Sequence, residues 1–286
     1  MAPMLHVTST AGIEIAVHDL GGEGRPALFA HATGFHGRVW EPLASKLSGV
    51  HGWAPDLRGH GDSPVPPGHE FAWSRFADDV LSTLDALGLG AATGAERPVG
   101  IGHSKGGAAL LLAEQRRPGT FAALWCYEPV VFPGDAIPPS GAENPLAAGA
   151  RRRRATFESF DAAYDNFAAK PPMSDFDPTA LRAYVEHGFA EQADGTVTLK
   201  CRPEDEAQVY EMAMGSHTFE HLGEVACPVT VVRGHTRVAG PASFADRVAD
   251  ALPRGHLEAH DDLGHFGPLE APGRMAASVQ AVVDAA

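Results

Sequence analysis

Cysteine is scarce in this chain. The 286 residues include three, Cys126, Cys201 and Cys227, with no Cys-x-x-Cys spacing, so neither a disulfide framework nor a zinc site is indicated and all three read as reduced, buried thiols. Long apolar runs are also missing. No stretch approaches the roughly 18 apolar residues of a membrane span, and the opening residues carry no charged segment followed by an apolar run, so the expectation is a soluble, cytoplasmic protein. Basic residues are few: 22 Lys and Arg against 36 Asp and Glu leave a net charge of −14, which argues against nucleic acid or an anionic membrane as partner and fits plain solubility. No internal repeat or low-complexity linker interrupts the chain.

What is present is a regular alternation of apolar strands and amphipathic helices. Two β-like runs, 5–9 and 13–20, form a hairpin pattern closed by Gly21-Gly22. Runs at 27–32, 51–57, 99–103 and 121–127 read as buried strands, with helical patterns at 39–47, 71–87 and 105–117. Such alternation predicts a mostly parallel sheet covered by helices on both faces. From about 132 to 217 the rhythm breaks: Pro and Gly cluster at 133–145, polar helices carrying Arg151 to Arg154 follow, and a strand-like stretch stands at 197–200. The pattern resumes with a strand at 227–232, a helix at 244–252, a strand at 256–260 and a final helix from 274. The expected organisation is therefore a core of residues 1–132 and 218–286 with a helical cap inserted at 133–217.

The chemistry is concentrated at Gly102-His103-Ser104-Lys105-Gly106, which joins an apolar strand to an Ala- and Leu-rich helix. This is the pattern of a nucleophile elbow: the sharp turn strains the serine and needs near-absent side chains on both flanks. A serine hydroxyl needs a base, and of fifteen histidines His265 is the candidate, in a glycine-flanked loop after the last strand. The loop His31-Ala32-Thr33-Gly34-Phe35 follows the third strand and suits an oxyanion hole, with the backbone N–H groups of Thr33 and Lys105 as donors. Phe35 and His103, the residue before the serine, are candidate substrate-pocket residues; a plain core role fits Phe35 equally well.

Four segments, His31-Ala-Thr-Gly34, Pro55-Asp-Leu-Arg-Gly-His-Gly-Asp-Ser63, the elbow and Gly264-His265, stand in the order found in the α/β-hydrolase superfamily, which the chain resembles outside the inserted cap. The resemblance implies an eight-stranded, mostly parallel sheet, a Ser–His–acid triad, a small-molecule substrate and no cofactor or metal; monomer and homodimer both stay open. Residues 56–63 carry a structural role on this reading. In the family the triad acid usually follows the strand that begins here at Val229, yet this chain continues Arg233-Gly-His-Thr-Arg-Val-Ala-Gly240 without a carboxylate. Glu128, at the end of the strand after the elbow helix, is the candidate acid, similar to the Glu that some haloalkane dehalogenases place there. The alternative is a rim glutamate paired with a cap arginine, and Asp246 is the fallback. Those dehalogenases use an aspartate nucleophile, so a serine points to acyl transfer and not to halide displacement or epoxide opening.

Members of the family that the chain resembles commonly carry an apolar residue where Lys105 stands. The preferred expectation is a solvated or cap-paired side chain; the weaker one is that it draws a carboxylate-bearing substrate. Several signals are read as empty. Gly100-x-Gly102 lacks the third glycine of a dinucleotide fingerprint. His217 and His221 have helical metal spacing without a third ligand, and His256 and His260 lie about 13 Å apart along a strand. Arg151 to Arg154 reads as a solvated helix face. The expected function is hydrolysis of a carboxylic ester or lactone through an acyl-enzyme, on an apolar substrate with an acyl group. A carbon–carbon bond hydrolase and a non-catalytic binding module are the alternatives.

Overall fold

The computed structural model describes residues 4–90, 94–137, 144–213 and 217–286. Its centre is an eight-stranded sheet in the order β1-β2-β4-β3-β5-β6-β7-β8. The strands are β1 (Met4–Thr8), β2 (Glu14–Gly22), β3 (Arg25–Ala30), β4 (Val50–Pro55), β5 (Val99–His103), β6 (Ala123–Tyr127), β7 (Val229–Arg233) and β8 (Gly255–Ala259). The opening hairpin pairs antiparallel with itself and with β4, and every pair from β4 to β8 is parallel.

Period-two alternation along the strands divides the core into two layers. Leu28, Ala30, Leu124, Cys126, Val229 and Val231 face one way, towards helices α1 (Trp73–Ala86) and α2 (Lys105–Arg116). Phe29, Val99, Ile101, Trp125, Tyr127 and Val232 face the other, towards the C-terminal helix with its buried Met275, Val279 and Val283. Each such large apolar side chain contributes about 1.5–3 kcal/mol when fully buried. On β5 the first face is all glycine. A Cβ on Gly102 would sit 2.6 Å from Gly107 Cα, and one on Gly100 would sit 2.5 Å from Leu124; the missing side chains let α2 lie directly on the sheet.

Most expected elements are present with shifted ends. The helix expected at 39–47 is a 3₁₀ turn, Gly37–Trp40, running into one α-turn, Glu41–Ala44. All three cysteines are free and buried. No helix among the described residues is long and apolar enough to cross a membrane.

Between β6 and β7 the chain leaves the sheet for α3 (Pro145–Arg151), α4 (Phe160–Ala168), α5 (Pro178–Gly188) and α6 (Pro203–Met212). Local chemistry starts three of them: Asn144, Ser159 and Asp177 each accept a hydrogen bond from a backbone N–H of the first turn. The segment is not purely helical. Thr156–Phe157, Val197–Leu199 and Phe189–Glu191 form a three-stranded antiparallel sheet, so the stretch expected near 197–200 is its central strand. Of the Pro/Gly cluster at 133–145, residues 138–143 lie outside the described residues. The insertion is tied to segments that follow the carboxyl ends of the strands: Asp177 N–H donates to Leu269 O, Trp73 Nε1–H to Val209 O, and Arg202 to Val65 O.

Candidate active site

Ser104 stands between β5 and α2 with φ 55° and ψ −115°, a left-handed conformation costing a non-glycine residue about 1–3 kcal/mol. The surroundings hold it there. Ser104 N–H donates to Tyr127 O at 2.9 Å, and Ser104 O accepts from Ala108 and Val130. A Cβ on Gly106 would lie 2.0 Å from Ala30 O, so only glycine lets the helix start against β3.

One strand over, Glu128 follows β6 with a second left-handed backbone, φ 41°. Its N–H donates to Val232 O at 2.7 Å, and the residue is 2% exposed. Both oxygens are satisfied: Oε1 accepts from Gly234 N–H at 2.9 Å and Oε2 from His265 Nδ1 at 2.6 Å. Because a carboxylate only accepts here, Nδ1 carries the proton, leaving Nε2 to accept from Ser104 Oγ at 3.1 Å. The structure thus brings Ser104, His265 and Glu128 into one hydrogen-bonded chain, with no arginine paired with Glu128 among the described residues. Asp246 lies exposed on the helix Ala245–Ala251, away from this chain.

The loop carrying Thr33 is shaped by His31, whose Nδ1–H donates to Ala32 O at 2.8 Å and whose Nε2 accepts Leu57 N–H at 2.9 Å. Gly34 takes φ 81°, and a Cβ there would meet Glu206 Oε1 at 2.5 Å and Arg153 Nη1 at 3.3 Å. Phe35 is buried beside Tyr184, Phe266 and Phe176, at ring-centroid distances of 5.1, 5.6 and 6.2 Å. An aromatic wall built from both the core and the insertion therefore stands next to His265, whose own ring is 5.1 Å from that of Phe266.

Two placements correct the sequence reading. Lys105 is neither solvated nor paired with the insertion: it is 0% exposed, because the residue after the serine turns into the core layer under the 56–63 loop. Its Nζ lies 3.3 and 3.4 Å from the two ring nitrogens of His60 and 4.5 Å from the centre of Phe76. Burial brings its pKa from the ordinary 10.5 down to about 7. His103, expected at the pocket, is 3% exposed and directed beneath the His265 loop, with Nε2 2.8 Å from His265 O.

In the Arg151 to Arg154 run, Arg151, Arg152 and Arg154 are exposed as expected, and Arg153 alone is drawn inwards. Arg151 bridges to Glu204 and Glu211, joining α3 to α6, while Arg153 pairs with Glu206 and donates to Tyr184 Oη. His217 has φ 50° and precedes a 3₁₀ turn in which His221 pairs with Glu224, so the helical metal spacing does not form. His256 lies on β8 and His260 just past it, on Glu258. Asp56, in the loop assigned a structural role, accepts from His18, Gly37 N–H and Asp62 N–H. Burial alone would raise this carboxyl, but the His18 hydrogen bond and charge outweigh it and hold it at about 2.

Sequence reasoning missed Tyr127, Gly234 and Glu270. Glu270 accepts from Gly264 N–H and Phe266 N–H, on either side of His265. The signal for Tyr127 was available: a hydroxyl at the end of an apolar strand, one residue before the carboxylate.

The model of the Alpha/beta hydrolase family matches residues 27–278. The chain belongs to that family and is an enzyme, a hydrolase. It is 25% identical over 256 residues to Lipase 3 of Moraxella sp. (strain TA144), covering 87% of this chain and 74% of that protein. Among solved structures it is similar to the peroxisomal alpha-beta-hydrolase Lpx1 of Saccharomyces cerevisiae (TM-score 0.80, 20% identity, 99% of this chain and 85% of that one). A thermophilic esterase of Thermogutta terrifontis is similar too, with TM-score 0.71, 22% identity and 99% of both chains covered.

Proposed function

We propose that the protein is a serine hydrolase that cleaves a carboxylic ester or lactone through an acyl-enzyme. The observation that carries this reading is the Ser104–His265–Glu128 chain, 3.1 and 2.6 Å long, set on a left-handed turn that holds the serine out of the strand. Ser104 Oγ attacks the carbonyl carbon while its proton passes to His265 Nε2, and Glu128 stabilises the imidazolium that forms. The carbonyl oxygen becomes an oxyanion held by the backbone N–H groups of Thr33 and Lys105. Collapse breaks the ester bond, and His265 returns its proton to the leaving alkoxide. Water, deprotonated by the same imidazole, then attacks the acyl-serine and frees Ser104.

The ester class is supported by the lipase and esterase names among the relatives. An apolar acyl group fits the wall of Phe35, Phe176, Tyr184 and Phe266. On this reading residues 133–217 act as a cap that supplies Phe176 and Tyr184, and the partner is a small molecule. Three free, buried thiols fit a reducing, cytoplasmic setting.

The test is fluorophosphonate labelling of the purified protein beside Ser104→Ala, with turnover of p-nitrophenyl esters and lactones. Labelling that disappears in Ser104→Ala together with ester turnover is expected. A folded wild type that neither labels nor turns over any ester would overturn the reading. Cleavage of a vinylogous diketone with no ester turnover would assign the same residues to carbon–carbon bond hydrolysis.

A further inference from the structure

We infer that His103 and Tyr127 are positioning residues for the reaction, acting as a two-point clamp that fixes the backbone of His265. The inference rests on the serine-hydrolase reading and extends it to two residues that touch neither substrate nor the reacting atoms. β5 and β6 end in register, with His103 opposite Tyr127. Each is the last residue before a left-handed turn, Ser104 after one and Glu128 after the other. The turns send the hydroxyl and the carboxylate to the site, and the preceding side chains reach under the loop after β8.

There they hold two successive carbonyls. Tyr127 Oη–H donates to Gly264 O at 2.7 Å and His103 Nε2–H donates to His265 O at 2.8 Å. These oxygens belong to the peptide groups before and after His265 Cα, so fixing both fixes the residue's φ and ψ and with them the direction of Cα–Cβ. The imidazole needs that constraint. Its side chain is 32% exposed, and it must meet Glu128 Oε2 and Ser104 Oγ at once.

The clamp is itself braced. The His103 and Tyr127 rings meet edge to face, 5.9 Å apart at 80°. A Cβ on Gly267 would lie 2.2 Å from Tyr127 Oη and one on Gly234 2.9 Å from it, so two glycines make room for the phenol. Burial and the neighbouring His265 hold the His103 pKa well below the ordinary value. The ring is therefore neutral, and since a carbonyl only accepts, its proton sits on Nε2. Burial likewise raises Tyr127 far above the ordinary phenol range and keeps it a donor.

Tyr127→Phe removes one oxygen and keeps the ring; His103→Leu removes the second donor, and His103→Gln restores an N–H. The experiment measures kcat, KM, the pH profile of kcat/KM, fluorophosphonate labelling rate and Tm for each, with wild type and Ser104→Ala alongside. Expected are losses of roughly 10–100-fold in kcat for Tyr127→Phe and His103→Leu, with KM within about threefold. Gln should recover most of the His103 loss. The acid limb of the profile moves to lower pH, because a loosened Nδ1–H bond to Glu128 stabilises the imidazolium less. Variants that label and turn over at the wild-type rate, or whose losses follow Tm with the acid limb unmoved, overturn the clamp alone. A wild type unlabelled at Ser104 overturns the serine-hydrolase reading itself, which separates the two failures.

Discussion

The ends of β6 and β7 lie side by side and have divided the work differently from what the resemblance implies. β6 runs into Glu128, a non-glycine residue held at φ 41° so that its carboxylate reaches His265. β7 runs into Gly234, which has no side chain to offer but gives its N–H to the same carboxylate. The β7 end carries no carboxylate in residues 233–240, yet its backbone touches the one that follows β6. What the imidazole requires is an acceptor at Nδ1, held in place by its neighbours. That requirement is met in space, so either strand can supply the group.

The sharpest way to break the comparison is to remove the charge from the β6 end. Glu128→Gln keeps shape but offers an amide where the N–H of His265 needs an acceptor, which favours the wrong tautomer. By analogy with the acid of other Ser–His–acid triads, kcat should fall by roughly 10³–10⁴-fold with KM little changed. Loss of less than tenfold in steady-state ester turnover would return the acid to another residue, and Asp246→Asn, expected to be silent, is the control. A smaller effect should follow at the β7 end. A Cβ on Gly234 would sit 2.6 Å from the carbonyl oxygens of Gly264 and Leu263, so Gly234→Ala must push the His265 loop away although it removes no polar group. A loss of about 10–100-fold in kcat is expected. Wild-type kcat in that variant would show that the β7 end takes no part in holding the acid.

How far all this was legible in the sequence depended on whether the cause was local. The elbow declared itself because a strained turn requires Gly102 and Gly106 on both sides of Ser104, and His265 because a glycine-flanked loop just after the last strand lets a side chain reach back over the carboxyl ends of the sheet. Glu128 was legible because a carboxylate at the end of an apolar strand is costly to bury without a partner. Tyr127 and His103 were not, since their meaning lies in carbonyls 137 and 162 residues further along the chain. The insertion was least legible. Thr156–Phe157 and Phe189–Glu191 are strands of two and three residues, too short for any periodicity, and Arg153 looked solvated until α6 brought Glu206 to it.

Lys105 sharpens the contrast from the other side, because here, among the described residues, a charge is buried without a carboxylate within ion-pair distance. Glu128 has two donors; the ammonium of Lys105 has His60, itself held neutral by burial and by the lysine's own charge, and the face of Phe76. Around it the charged and titratable groups are His31, His60, Cys201, Asp79, Asp56 and Glu206. With a folded pKa near 7 against an ordinary 10.5, the unfolded chain binds the extra proton between those values, so stability rises with pH across that window and the penalty is largest below pH 7. Lys105→Met, similar in length and uncharged, should therefore stabilise the protein by about 1–4 kcal/mol at pH 6. The gain should shrink steadily towards pH 10. Chemical denaturation of both proteins from pH 6 to 10 reads this directly, and a variant less stable than wild type, or a gain independent of pH, would mean that the lysine has a partner it prefers to water. Because Nζ is sealed from solvent, the same variant should also keep the wild-type preference between anionic and neutral esters.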